Sequence, residues 1–256
     1  MPAGAPMSER KPDEQRVLDP ARVVQTLNQL RSRVEERFPE AGLAKVCADL
    51  AATGARTAQR TQALARPYVG LQTLVALVVV AAVGVQVYVA RLIDWTTLER
   101  KDDIILVTQG LESAVNLALL AAGAIWFLAR VESRLKRARA LRDLYRLRAF
   151  AHVIDMHQLT KDPSAILASG DATTSSPTRR MSEFELLRYL DYCSEMLALT
   201  AKLAALYAAR SRDPEVIDAV HDVETLTSDL GRKIWQKIAI LSQLRGSEDV
   251  AGRGPG

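Results

Sequence analysis

The sequence predicts an all-α protein: a two-span transmembrane helical hairpin, a long stalk helix and a cytoplasmic antiparallel helical bundle. Three observations lead there. The run from Tyr68 to Ala90 contains no Asp, Glu, Lys or Arg. As a helix rising ~1.5 Å per residue it reaches roughly 34 Å, enough for a hydrocarbon layer of ~30 Å. A second, less apolar stretch from Ile104 to Ala129 follows a short polar link, and elsewhere apolar residues recur at helical spacing with no strand-like alternation.

Residues 1–18 are polar, contain proline and lack periodic apolar positions, so they read as a disordered tail. Residues 19–66 read as N-terminal cytoplasmic helices. Asp19-Pro20 is a cap followed by proline in the first turn, and Val23, Val24, Leu27, Leu30 and Val34 continue at helical spacing until Phe38-Pro39. A second helix starts near Leu43, with Val46, Leu50 and Ala51 on one side, and runs toward Pro67. The hairpin occupies 67–129, with spans at about 68–90 and 104–129. Nothing stops the second span at its cytoplasmic end, so the same helix continues as a stalk over 130–160. Its seam reads as Leu128, Val131, Leu135, Ala138, Arg142, Tyr145, Ala149, His152, Met156 and Leu159, in the alternating steps of helices packed side by side.

Asp162-Pro163 breaks that helix, and 161–181 has the composition of a flexible loop. Ser182-Glu183-Phe184-Glu185 is a capping box that opens a C-terminal helical hairpin over 182–245. Its first helix carries two neighbouring stripes, one through Leu187, Leu190, Leu197, Ala201 and Ala204, the other through Leu186, Tyr189, Cys193, Met196 and Leu203. Asp213-Pro214-Glu215 starts the last helix, which buries Val216, Val220, Val223, Leu230, Ile234, Ile238 and Leu241 and frays after Leu244, leaving 246–256 as a tail. Cys47 and Cys193 follow no CxxC spacing and read as buried reduced thiols.

Charge sets the expected orientation. Arg56, Arg60 and Arg66 precede the first span, and a dense basic run follows the second, whereas the link mixes Arg91, Arg100 and Lys101 with four acids. Lys and Arg beside spans stay on the cytoplasmic side, which puts both termini in the cytoplasm of an inner-membrane, multi-pass protein. Tyr68, Tyr88, Trp95 and Trp126 fall near the expected interfaces. The net charge of +4 concentrates next to the spans instead of in a groove interleaved with aromatics. Membrane lipids are therefore the expected partner of Arg130, Arg134, Lys136 and Arg137, and nucleic acid is not.

The second span holds the densest chemistry. Gln109, Glu112, Ser113 and Asn116 share one face, while Gly110, Ala114, Ala118 and Ala122 form a small-residue stripe suited to close helix approach. An ionisable group at membrane depth avoids lipid, so the stripe is expected to pack on the first span and the polar face to meet copies of itself in a homo-oligomer. Glu112 then serves as a hydrogen-bonding stitch between helices, as part of a pore-lining carboxylate ring, or as a group near enough to the outer surface to reach water. His152 and Asp155, three apart on one helix face, are weak metal candidates. The expected reading is structural, with His152 in the seam, Asp155 bonded to a bundle arginine and Met156 filling the core. No phosphate-binding glycine loop, nucleophile elbow or Cys/His cluster occurs, so neither a metal nor a cofactor is expected.

The segments His-Val-Ile-Asp-Met-His-Gln-Leu-Thr-Lys-Asp-Pro and Tyr-Leu-Asp-Tyr-Cys-Ser-Glu-Met-Leu are similar to stretches of bacterial membrane proteins with no assigned activity. Over roughly residues 43–160 the architecture resembles the two-helix SLATT membrane modules of bacteria, a resemblance that implies pore formation in a defence system. It rests on architecture and assigns no residue a role, and the hairpin from Ser182 to Leu244 lies outside it. The residues themselves lead to a non-enzymatic, oligomeric membrane protein whose bundle binds a cytoplasmic protein partner or senses a signal. The alternative is an ion-conducting pore gated by that bundle, and the third reading is a membrane-bound metal-dependent enzyme.

Overall fold

The computed structural model describes residues 18–64, 69–92, 101–159, 161 and 181–251. Among them every regular element is a helix: α1 (Pro20–Arg37), α2 (Gly42–Leu64), α3 (Val69–Leu92), α4 (Lys101–Leu159), α5 (Glu183–Ala208) and α6 (Pro214–Ala251). The expected tails, apart from Leu18 and the stretch up to Ala251, most of the polar link and most of the flexible loop lie outside the described residues. Two compact units result, one of Met1–Ala65 with Ala140–Gly256 and one of Arg66–Arg139.

The first unit is the helical bundle. Local chemistry sets its boundaries: Asp19 accepts from the Ala21 amide at 2.9 Å ahead of Pro20. Ser182 and Glu185 exchange the two bonds of a capping box, at 3.3 and 2.8 Å. Asp213 accepts from the Glu215 amide at 3.1 Å at the start of α6. Each cap satisfies amides that the first helical turn leaves free, typically ~1 kcal/mol per cap. The amphipathic faces then meet in one core. Val23, Leu27, Leu30 and Val34 of α1 join Leu43, Cys47 and Leu50 of α2, Leu186, Tyr189, Leu190, Cys193, Met196, Leu197, Leu203 and Ala204 of α5, and Val216 to Leu241 of α6, while Leu187 and Ala201 of the expected α5 stripes are half-buried. At Gly54 of α2 a Cβ would stand 2.7 Å from a Leu27 methyl, so this glycine sets how closely α1 and α2 approach. The last helix continues to Ala251, beyond the expected fraying point.

The α4 seam differs from expectation. Within the bundle α4 buries Ala140, Asp143, Leu144, Leu147, Ala151, Ile154 and Gln158. Tyr145, Met156 and Leu159, expected in the seam, are 61%, 68% and 60% exposed, and Arg142, Ala149 and His152 are exposed with them. The expected register holds at half-buried Leu128 and Val131 and is lost by Leu135. The two registers stand two residues apart, which is about 200° around a helix. Both step by threes and fours, so spacing alone cannot separate them. Side-chain chemistry does: the buried register is Leu, Ile and Ala with two partnered polar groups, whereas the other would desolvate Arg142 and His152.

In the second unit α3 and the first part of α4 keep their apolar side chains exposed. Leu77 and Val80 are 67% and 70% exposed, and Leu119, Leu120, Trp126 and Phe127 are each above 60%. Half-buried positions fall on one stripe of each helix, Val75, Val78, Val79, Ala82 and Gln86 on α3, and Gly110, Ala114, Leu117, Ala121, Ala124 and Leu128 on α4. Among the described residues one helix, Thr108–Leu159, is long and apolar enough to cross a membrane, and none of its most apolar window is buried. The apolar segment Thr73–Tyr88 is shorter.

Candidate functional site

Asp143 is the only buried carboxylate among the described residues. It lies on the buried face of α4, one residue before Leu144, and joins three helices. The Arg60 guanidinium of α2 donates to Oδ1 at 2.5 Å, the Tyr207 hydroxyl of α5 donates to Oδ2 at 2.9 Å, and Arg146 approaches Oδ1 at 3.5 Å. Burial and the adjacent carboxylate both push the Tyr207 phenol well above its usual range, so it stays a hydrogen-bond donor. Arg60 and Arg146 keep about half of each side chain in water, 51% and 57%, so the pair is anchored at the rim of the core and not sealed inside it. Among the described residues no buried side-chain polar atom lacks a partner.

At the other end of the bundle Lys237 of α6 donates to the backbone oxygen of Gln158 at 3.1 Å and to its side-chain oxygen at 2.7 Å. Gln158 in turn donates to Asp155 at 2.6 Å. A cation thereby satisfies a carbonyl that the end of α4 leaves without an intrahelical partner. Nearby, Phe38 stands edge-on to Tyr189 and Tyr192, with ring centres 5.6 and 6.2 Å away. Arg33 binds Glu195 through both guanidinium nitrogens, at 2.5 and 3.3 Å. Cys47 and Cys193 are free thiols with no exposed surface, and burial pushes them up to about 11 and about 12.

Gln109, Glu112, Ser113 and Asn116 are all exposed in this chain. Gly110 and Ala114 lie on the half-buried stripe of α4, while Ala118 and Ala122 are exposed. A four-residue repeat drifts by about 40° per step, whereas steps of three and four hold one line, which continues through Leu117, Ala121 and Ala124. Arg130 is exposed with its guanidinium 5.2 Å from the Trp126 ring centre, Arg134 is exposed, Lys136 pairs with Glu132 at 2.7 Å, and Arg137 is half-buried. His152 is exposed and not in the seam, because that face of α4 is turned out of the core. Asp155 bonds Gln158 instead of an arginine. Met156 is exposed and fills no core. Among the described residues no three His, Cys, Asp or Glu side chains group as metal ligands.

No family model, no curated protein and no solved structure matches the chain. A groove of about 710 Å³ between α1 and α2 is lined by Gln25, Asn28, Gln29, Gln59 and Gln62 with alanines, and contains no titratable side chain. The groups that converge most closely, those around Asp143, are engaged with one another and act as a clamp among α2, α4 and α5. Sequence reasoning passed over this node, although Asp143 is one of only two acids in the basic run from Arg130 to Arg148.

Proposed function

We propose that this chain is a two-span, homo-oligomeric inner-membrane protein without enzymatic activity, whose cytoplasmic helical bundle binds a protein partner or reports on a signal. One observation carries the reading: a single helix, α4, presents uncovered Leu119, Leu120 and Phe127 along its apolar part, yet contributes Leu144, Leu147 and Ile154 to a water-soluble core. Large apolar side chains left uncovered along an uninterrupted helix suit lipid as solvent. The half-buried stripe of α3 matches that of α4 and would close the hairpin, with both termini on the side favoured by Arg56, Arg60 and the basic run after the second span. Exposed Gln109, Glu112 and Asn116 would then be covered by other copies of the chain.

The same polar face supports the second reading, an ion-conducting pore gated by the bundle. Two experiments test these readings. Membrane fractions washed with alkaline carbonate retain the chain if it is integral, and release of the whole pool into the supernatant refutes the first premise. Liposomes containing the purified protein separate adaptor from pore: the pore reading requires ion flux that drops in Glu112→Gln, and unaltered flux in that variant removes it.

A further inference from the structure

We propose that the turn between α5 and α6, through Arg210 and Arg212, is a second membrane contact that docks on anionic lipid headgroups. It rests on the membrane reading above and adds a site remote in sequence from the spans. Position comes first. Tyr207, in the last turn of α5, and Arg60, near the end of α2, both bond to Asp143, which lies three residues into the bundle part of α4. The end of α2, the entry of α4 and the α5–α6 turn therefore form one end of the bundle. The chain leaves the unit at that end, after Ala65, and returns there at Ala140. The opposite end holds the Lys237–Gln158 contact and Lys161 over the Tyr189 ring.

Charge comes second. Arg210 and Arg212 are exposed, and neither is in an ion pair among the described residues. Arg142, exposed on α4 next to Asp143, adds a third cation. The other arginines of this end are already engaged, Arg60 and Arg146 with Asp143 and Arg22 with Asp19. Asp213, beside Arg212, directs Oδ1 to the Glu215 amide as a cap. In the membrane reading the chain passes to its spans from this end of the bundle, and an arginine-bearing turn there would meet the surface potential of the cytoplasmic leaflet.

The test uses the full chain in vesicles of phosphatidylcholine alone or mixed with phosphatidylglycerol. A dye on Ala209→Cys reports energy transfer to headgroup-labelled acceptors, and the native thiols, which have no exposed surface, stay unlabelled. Transfer is expected to be stronger in the anionic vesicles and to fall to the neutral level at ~1 M salt, where screening acts within ~3 Å. Arg210→Gln and Arg212→Gln should each lower the docked-to-free ratio about fivefold, whereas Arg188→Gln at the opposite end should leave it unchanged. Equal transfer in both lipids, or equal loss in the Arg188 control, overturns the proposal. Loss of the chain from carbonate-washed vesicles would instead refute the membrane reading itself.

Discussion

Two stretches of one helix solve opposite problems. From Thr108 to Leu128, α4 leaves its large apolar side chains uncovered and carries polar groups such as Glu112 among them. From Ala140 to Gln158 it buries Leu144, Leu147, Ala151 and Ile154 on one face and brings one buried carboxylate, which accepts from Arg60 and Tyr207. The backbone is the same throughout. The comparison teaches that helix formation says little about solvent, and that the pattern of covering side chains says a great deal.

Alkali should separate the two stretches most strongly. Cys47 and Cys193 keep their protons to about 11 and about 12 in the folded bundle, against 9.0 for an ordinary thiol, and the Tyr189 and Tyr207 phenols are raised as well. Above pH 9.0 the unfolded chain loses protons that the folded state retains. Stability is therefore full below 9.0 and falls as pH climbs through the folded values near 11 and 12. The stretch Thr108–Leu128 contains no Cys, Tyr, Lys or Arg that could lose a proton in alkali. Circular dichroism in detergent should show the bundle melting with rising pH while a helical remainder persists. Loss of all helix in one step would remove the distinction.

Truncation of apolar side chains gives the next largest contrast. Leu147→Ala empties a position with no exposed surface and should cost about 2–5 kcal/mol in denaturant unfolding. Leu120→Ala, at 72% exposure, should leave bundle unfolding within about 0.5 kcal/mol of the wild type. Equal losses would mean that the two stretches share one cooperative core.

The Asp143 clamp ranks third. Asp143→Ala removes the acceptor of the buried Tyr207 hydroxyl and should cost about 1–3 kcal/mol. In a double-mutant cycle with Tyr207→Phe the losses should fall short of additivity by about 0.5 kcal/mol or more, because each change breaks the same bond. Additive losses would show that the bond contributes nothing by itself.

How far the sequence reached follows from what each signal depends on. The caps at Asp19, Ser182 and Asp213 could be read because a side-chain oxygen and the amides it satisfies lie within three residues. The stripes of α1 and α6 could be read because each has one apolar register, and those of α5 because its two stripes adjoin in one broad buried face. Asp143 and Tyr207 could not, since they are 64 residues apart and only the folded bundle brings them together.

The smallest expected effect probes the α4 register, where two heptad patterns compete on one segment. Met156 follows the pattern that runs through Tyr145 and Leu159, and Ile154 follows the one through Leu144, Leu147 and Ala151. With Met156 at 68% exposure and Ile154 at 0%, Met156→Ala should shift stability by less than about 0.5 kcal/mol, while Ile154→Ala should cost about 2–5 kcal/mol. If Met156→Ala is instead the costly change, and the cost depends on protein concentration, then a second chain covers that face, and both patterns on α4 are seams.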